Sequence, residues 1–257
     1  MIIPTYSRYR IILYWLIALF VFSSCDPMYV TQKCPSYVVC YNDIRSIELS
    51  PLTTNTKGLV INCGNDRPVM LYSLNSTDKE KDMYDWLCNK HHDLNYNQYR
   101  SFPKGLPSES VTYNDQDYLS IELTSDTDFD ESHPTGSNLA DIIRFISWSP
   151  YKYICSGYTE YYHYDSSNLS KAFNTIMPIY FGAEWFQSTT NATCYPIDKI
   201  VSELIPEDLI LLGHDAPGLL GIIVFEVPPT NKGAQNITVK MKTDTGMIFE
   251  DVIRLTF

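Results

Sequence analysis

The sequence predicts a mainly β protein, built as one large or two abutting β-sandwiches with a helical insertion. Short apolar segments bounded by turn residues indicate strands, among them GLVINC at 58–63, LILLGH at 209–214 and GLLGIIVFEV at 218–227. The last of these is apolar on both faces, which is typical of a strand at the centre of a sheet. Residues 236–257 predict a hairpin, because apolar and polar residues alternate on both sides of a turn at Gly246.

One segment departs from the strand pattern and predicts the helical insertion. The run DKEKDMYDWLCNKHH follows Thr77, a residue suited to a helix start, and carries Met83, Trp86 and Leu87 at helical spacing. We therefore expect a helix near residues 77–92.

The sequence predicts two β-rich parts after the tether. We expect an N-terminal β-rich part at residues 34–135 and a C-terminal β-sandwich-like part at residues 136–257. No linker rich in Gly, Ser or Pro lies between them, so one domain and two abutting domains both fit. The segment SNLADIIRFIS at 137–147 fits either a short helix or a strand, because its apolar run alone does not decide.

The first residues have the layout of a secretory signal peptide. Arg8 and Arg10 precede the apolar run 11–22, and small residues follow it. The run is shorter than the roughly 20 residues that a membrane-spanning helix needs. The sequence therefore predicts a signal peptide at residues 1–24.

A cysteine follows at once, and Phe22-Ser23-Ser24-Cys25 resembles the lipobox of bacterial lipoproteins. The resemblance implies cleavage before Cys25 and a diacylglyceryl group on its thiol, with residues 25–33 as the tether. It places the protein at the outer membrane or the periplasmic side of the envelope, held by lipid, and leaves surface exposure open. An ordinary secreted protein and an uncleaved short anchor are the alternatives.

Two broader resemblances concern fold and location. The terminal hairpin resembles the last two strands of an immunoglobulin-like sandwich. Through the lipobox, the SNLADIIRFIS segment and this hairpin, the chain resembles an uncharacterised lipoprotein family of Bacteroidetes bacteria. Both resemblances imply location and fold rather than an activity.

Charge and composition narrow the class of partner. The 257 residues carry 30 acidic and 19 basic side chains, a formal charge of −11. Such a chain is a poor partner for nucleic acid, because phosphate binding depends on clustered Lys and Arg. We expect contact with the membrane through the lipid, a glycan or envelope protein as partner, and no cofactor.

The cysteine count agrees with a lipidated Cys25. Seven cysteines are an odd number for an exported protein, but six remain once Cys25 is assigned to lipid. Those six are expected to form up to three disulfides, with the connectivity open: Cys34, Cys40, Cys63, Cys88, Cys155 and Cys194. No CxxC pair or zinc-type Cys/His spacing is present, so no metal site is predicted.

The richest candidate site is a tyrosine-rich stretch. Exposed aromatic faces stack on sugars and anchor protein interfaces, whereas half-buried tyrosines on strands simply pack against their neighbours. Both interpretations stay open. The candidate ligand platform consists of Trp148, Tyr151, Tyr153, Tyr158, Tyr161, Tyr162 and Tyr164.

Two other clusters were tested against known chemistry. The acidic residues from Asp126 to Glu131 fail the EF-hand pattern, because Glu131 and Ser137 stand where glycine and the final glutamate belong. His91 and His92 are adjacent and so point about 100° apart on a helix, which does not suit a shared metal. The sequence contains no HExxH, GxSxG or phosphate-binding loop, and we predict no catalytic residue.

These observations favour a lipid-anchored cell-envelope protein that acts as a noncatalytic binding or accessory module. The first alternative is a glycan-binding surface lipoprotein that uses the tyrosine-rich stretch. The second is an envelope hydrolase, because the two carboxylates of a glycosidase can be far apart in sequence.

Overall fold

Strands dominate the chain, as the sequence predicts. The computed structural model describes residues 29–54, 57–64, 69–103, 111–181, 192–213 and 218–257. The strands are β1 Tyr29–Cys34, β2 Cys40–Asp43, β3 Ile47–Pro51, β4 Gly58–Cys63, β5 Val69–Ser73, β6 Gln98–Pro103, β7 Thr112–Asn114, β8 Tyr118–Ser125, β9 Ile143–Ser149, β10 Tyr195–Ile200, β11 Leu219–Phe225, β12 Ala234–Thr243 and β13 Ile248–Thr256. The helices are α1 Asp78–Lys90, α2 Tyr151–Cys155 and α3 Lys171–Phe181. Single 3₁₀ turns lie at Ser166–Asn168, Val201–Glu203 and Pro206–Leu209.

Two antiparallel sheets pack face to face. One has five strands in the order β10-β9-β11-β4-β3, and the other has three in the order β13-β12-β8. Phe145 and Ile223 of the first sheet share a buried core with Leu123, Ile237 and Val239 of the second, all at 0% exposure. This is the arrangement of a β-sandwich. As predicted from its apolar faces, β11 is central in its sheet and is buried along its whole length.

The terminal hairpin forms as β12 and β13, and one polar residue in it has a structural role. Asp251 interrupts the apolar alternation of β13, and its Oδ2 accepts a hydrogen bond of 2.8 Å from the backbone N–H of Leu49 on β3. The hydrogen bond joins an edge strand of one sheet to an edge strand of the other.

Helix α3 covers the outer face of the five-stranded sheet. Its residues Phe173, Ile176 and Met177 are fully buried in one core cluster with Trp148 of β9 and Ile222 of β11. No pattern in the sequence predicted this helix. It makes the sandwich a three-layer structure, with the five-stranded sheet buried on both faces.

A second group of elements packs around α1. The strands β5, β2 and β7 form a three-stranded sheet in which β2 and β7 run parallel. Helix α1 lies within the predicted range 77–92, but its buried side chains are Tyr84, Leu87 and Cys88. Met83 and Trp86, which stand at helical spacing with Leu87, are 39% and 53% exposed.

The division predicted at residues 135 and 136 does not separate the sheets. In the five-stranded sheet β3 and β4 pair with strands that follow residue 136, and in the three-stranded sheet β8 pairs with β12. The segment 137–147, left open between helix and strand, contributes to β9. Of residues 209–214, predicted as a strand, Leu209 ends a 3₁₀ turn and 210–213 form a largely buried loop in which Leu211 has a φ of 51°; His214 lies outside the described residues.

Candidate binding surface and the charge network beside it

Four tyrosine rings lie beside α1, and each one contacts two of the others. We call them the tyrosine cluster. Tyr37 meets Tyr96 with ring centroids 5.5 Å apart, Tyr96 meets Tyr158 at 5.1 Å, Tyr158 meets Tyr153 at 5.8 Å, and Tyr153 meets Tyr37 at 5.4 Å. All four contacts are edge-to-face, the geometry that aromatic quadrupoles favour. The tyrosines come from three separate segments, because Tyr153 and Tyr158 both belong to α2 and the turn after it, so the cluster ties these segments together.

An arginine sits against this cluster. The guanidinium of Arg100 lies 4.7 Å from the ring centroids of both Tyr37 and Tyr96. It donates hydrogen bonds to the Tyr37 carbonyl at 2.8 Å and to the Tyr96 hydroxyl at 3.1 Å. Burial lowers the pKa of Arg100, but its contacts with Tyr96 and Tyr37 outweigh that effect and raise it. The cation is therefore held charged over two ring faces.

A buried carboxylate fixes the other side of the cluster. Asp93 is 0% exposed and accepts hydrogen bonds from the backbone N–H of Tyr37 at 2.6 Å, that of Val38 at 2.7 Å and the hydroxyl of Tyr158 at 2.8 Å. Burial raises the pKa of Asp93 above its ordinary value, and these three donors oppose the rise. No sequence motif pointed to Asp93 as a site residue. The one feature of the sequence that could have indicated Asp93 is its position just beyond the end of the predicted helix.

A second polar network lies at the end of α1. The Nε2 atom of His91 lies 2.9 Å from Oδ2 of Asp117, and its Nδ1 lies 3.1 Å from the hydroxyl of Tyr41. Because a carboxylate only accepts, Nε2 carries a proton and donates it to Asp117, while Nδ1 lies within hydrogen-bond distance of the Tyr41 hydroxyl. Lys90 forms ion pairs with Asp117 at 2.6 Å and with Asp244 at 2.8 Å. Burial raises the pKa of Asp117, but hydrogen bonds and charge from His91 and Lys90 bring it below its ordinary value.

The His91–Asp117 pair has the residue types of a catalytic dyad, but its position indicates a structural role. His91 is 1% exposed, Asp117 is 4% exposed and Tyr41 is 0% exposed. Burial raises the pKa of the Tyr41 hydroxyl well above its ordinary value, which disfavours the phenolate. A substrate does not reach these groups, so the network joins α1 to the loop before β8 rather than forming an open active site.

The structure divides the predicted platform between two cores. Trp148 is 1% exposed and packs on Phe173 of α3, with ring centroids 5.4 Å apart, while Tyr153 is 1% exposed in the tyrosine cluster. Tyr164 is half-buried and donates a hydrogen bond of 2.6 Å to Asn174. Trp148 and Tyr153 therefore offer no open ring face, so any platform is limited to the other residues of the stretch.

Part of the stretch does reach the surface. Tyr161 is 39% exposed, and Tyr162 forms a half-buried pair with Tyr195 at a centroid distance of 5.5 Å. We call these three residues the aromatic rim. Tyr195 donates a hydrogen bond of 2.9 Å to the Glu160 carbonyl, which fixes the pair to the loop that carries Tyr161. The remaining platform residue, Tyr151, is half-buried, and burial raises its pKa to about 12.

The disulfides expected from cysteine parity are not present among the described residues. Cys34, Cys40, Cys63, Cys88, Cys155 and Cys194 all carry free thiols, and only Cys155 is exposed. Cys63 lies between the sandwich sheets and Cys194 lies under α3, in cores separate from the one around α1 that contains Cys34 and Cys88. Cys25 lies outside the described residues, as does the whole signal peptide.

The aspartates of the acidic loop after β8 accept hydrogen bonds from groups of the protein itself. Asp126 accepts from the backbone N–H of Asn236 at 2.8 Å, and Asp128 accepts from that of Thr135 at 2.8 Å. Asp130 and Asp141 flank His133, at 2.8 Å from Nδ1 and 2.9 Å from Nε2. Within the described ranges no group of three or more His, Cys, Asp or Glu side chains is placed to hold a metal ion.

A pocket of about 170 Å³ lies where the β3–β4 turn meets the end of β13, and Lys57 and Arg254 are its charged lining residues. Ligand pockets usually measure about 300–1,000 Å³, so this one is small for an organic ligand.

Comparison of the chain with protein-family models, with curated proteins and with solved structures finds no match. None of the helices in the described part of the chain is long and apolar enough to cross a membrane.

Proposed function

We propose that the protein is a lipid-anchored cell-envelope protein that acts as a noncatalytic binding or accessory module. The signal layout of residues 1–24 and the cysteine that follows support the anchor at Cys25, on the outer membrane or the periplasmic side of the envelope. We include in this proposal that the sandwich belongs to the immunoglobulin-like class, which the terminal hairpin supports.

One observation carries the noncatalytic part of the proposal. The His91–Asp117 pair is buried and is held by Tyr41 and Lys90, whereas Tyr161 of the aromatic rim is 39% exposed. This one dyad-like pair is thus enclosed, and the rim offers a ring to a partner. No observation on the described residues favours the hydrolase alternative.

The intact mass of the mature protein, extracted from its native membrane, tests the anchor. A mass that begins at Cys25 and includes acyl chains supports the proposal. A Cys25→Ser variant is the control, since it keeps the apolar run and lacks the acceptor thiol. A mature mass without lipid contradicts the proposal.

A glycan-binding role is the second candidate, and the aromatic rim supports it. Tyr161 offers an open ring, and the Tyr162–Tyr195 pair lies beside it with the Lys152 ammonium 5.7 Å from the Tyr195 ring centroid. An aromatic contact contributes about 0.5–1.5 kcal/mol beyond area burial, so its loss costs up to about tenfold in affinity.

The test is a titration with envelope and dietary glycans, followed by tryptophan fluorescence. Tyr161→Ala is expected to weaken binding by up to about tenfold, and a Tyr161→Ala/Tyr162→Ala double variant by more. Tyr99→Ala is the matched control, because Tyr99 is exposed on a different element, β6. Silence across the whole panel removes this candidate and leaves the protein-partner role.

A further inference from the structure

The two-stranded ribbon formed by β1 and β6 has an open aromatic face. Antiparallel pairing places Tyr29, Thr31 and Lys33 on the same face as Tyr99 and Ser101, and the hydroxyls of Thr31 and Ser101 lie 2.9 Å apart. Tyr29 is 54% exposed. Tyr99, at 72%, is the most exposed large hydrophobic side chain of the described residues. We call this surface the ribbon face.

The ribbon differs in charge from the rest of the chain. Residues 29–34 and 98–103 contain Lys33 and Arg100 and no acidic residue, in a chain whose formal charge is −11. Arg100 points to the opposite side, onto the tyrosine cluster, which leaves Lys33 as the charge of the ribbon face. An acid-free face suits an anionic surface, from which the acidic remainder of the protein is repelled.

Strand β1 of the ribbon is also the described element that lies nearest in sequence to the proposed anchor. Tyr29 follows Cys25 by four residues, which span at most about 14 Å when fully extended. The headgroup layer of one leaflet is about 5–8 Å thick. An acylated Cys25 therefore holds the start of β1 within reach of the headgroups.

The ribbon is fixed to the body of the protein. Gln32 donates a hydrogen bond of 3.0 Å to Asn75, Arg100 donates one of 2.8 Å to the Tyr37 carbonyl, and Cys34 at the end of β1 is 0% exposed. A ribbon held in this way transmits its own orientation to the whole molecule.

We propose that the ribbon face docks on the lipid bilayer, with the rings of Tyr29 and Tyr99 in the headgroup layer and Lys33 against anionic headgroups. The proposal rests on the lipid anchor proposed at Cys25. Tyrosine is enriched at membrane–water interfaces because its ring is apolar and its hydroxyl stays wet. A lysine near an anionic bilayer adds attraction that weakens with salt. Docking turns a flexible lipid tether into a defined orientation.

The test compares the acylated protein on vesicles of phosphatidylethanolamine and phosphatidylglycerol with the mature Cys25→Ser chain free in solution. Hydroxyl-radical labelling reports on Tyr99, and amine acetylation reports on Lys33. Both are expected to slow at least about fivefold on vesicles, because docked groups are sheltered from aqueous reagents. Labelling of Tyr161, at 39% exposure on another element, is expected to stay unchanged.

A variant pair separates docking from anchoring. In Tyr29→Ser/Tyr99→Ser the acyl chain still binds the vesicle, but the protection of Lys33 is expected to disappear. The matched control is Ile248→Ser/Val252→Ser, which removes apolar side chains of similar exposure, 62% and 51%, from β13. This control is expected to keep the protection.

The outcomes distinguish the two proposals. If the mass shows an acylated Cys25 while Tyr99 and Lys33 react on vesicles as fast as in solution, docking is refuted and the anchor stands. If Cys25 carries no lipid, the anchor fails and docking falls with it. If protection appears without vesicles and grows with protein concentration, a second copy of the chain covers the ribbon face, which also overturns the proposal.

Discussion

The core between the sandwich sheets and the core around α1 are equally well buried, yet they consist of different side chains. The first is built mostly from aliphatic and phenylalanine residues such as Leu123, Phe145 and Ile223. The second holds many tyrosines, and it adjoins the buried Asp93, His91 and Asp117. Apolar packing tolerates small shifts of position, whereas hydrogen bonds to buried charges require each partner in place. The sandwich therefore acts as the scaffold, and the α1 core holds the surface elements in a defined geometry.

The largest expected effect comes from Asp117→Asn. This change leaves His91 and Lys90 without their shared carboxylate, and breaking a buried pair costs about 3–5 kcal/mol of unfolding free energy. Denaturant unfolding at pH 7 measures the loss. The matched control is Glu250→Gln, which breaks the half-exposed Lys240–Glu250 pair and is expected to cost less than about 1 kcal/mol.

The pH dependence of the unfolding free energy also distinguishes Asp117→Asn from the wild type. The pKa of Asp117 is lowered in the folded protein, so its contribution is present above its unfolded value of about 3.9 and is lost as pH falls through the folded value. The wild type is expected to lose this stability on acidification, and Asp117→Asn to lack that component. If both proteins lose the same amount of stability on acidification, Asp117 does not contribute the pH-dependent part.

In the sandwich core, Leu123→Ala is expected to cost about 2–5 kcal/mol, because it leaves a cavity at a position that is 0% exposed. Denaturant unfolding again measures the cost. Since no titratable group is removed, the difference from wild type should not change with pH. A pH-dependent difference shows that the two cores are energetically coupled.

Within the tyrosine cluster, Tyr158→Phe removes a hydrogen bond to the buried Asp93. We expect a loss of about 1–3 kcal/mol in unfolding free energy, because the carboxylate keeps only its two backbone donors. The control is Tyr161→Phe, whose hydroxyl lies 3.3 Å from that of Tyr153 at the exposed edge of the cluster. Equal losses in the two variants would show that Asp93 does not depend on Tyr158.

A smaller effect is expected at His133, on the loop over the sandwich. Burial lowers the pKa of His133, but Asp130 and Asp141 outweigh it and raise the pKa above the ordinary value. Its contribution is then fully present below about pH 6.5 and is lost as pH rises through the folded value. Melting temperatures from pH 5.5 to 8 test this, and His133→Gln is expected to flatten that part of the profile.

The smallest effect on stability is expected from alkylation of the native protein. Cys155 is exposed and should react first, while burial raises the pKa of Cys63 and Cys88 to about 12 and keeps both thiols inert. Mass spectrometry before and after unfolding counts the labels. Thiols that become available only after reduction would restore the disulfide prediction.

Sequence patterns predicted the elements whose burial follows a local period. The alternation at 236–257 predicted the terminal hairpin, and the apolar faces of 218–227 predicted a central strand. The spacing of Met83, Trp86 and Leu87 predicted helix α1 but did not show which face is buried: Leu87 is 1% exposed and Trp86 is 53% exposed. Which face of a helix is covered depends on its neighbours, and these come from distant parts of the chain.

The candidate binding surface was less predictable, again because its contacts come from distant parts of the chain. The tyrosine-rich stretch was singled out, but Trp148 and Tyr153 point into different cores, and only the assembled sheets decide that. Asp93 gave little local signal, because its three donors lie far from it in sequence. The cysteine argument used only parity, which carries no information on distance.

The sheet order has a consequence for how the chain becomes folded. Strand β4 pairs on one side with its hairpin neighbour β3 and on the other with β11, which lies near the opposite end of the chain. Until residues 219–225 emerge, the edge of β4 is unpaired and its apolar residues Leu59, Val60 and Ile61 lack their cover. Loop closure over such a separation is slow, and open apolar edges aggregate. The edge of β4 therefore stays open to aggregation until β11, the first of the last three strands, has been made.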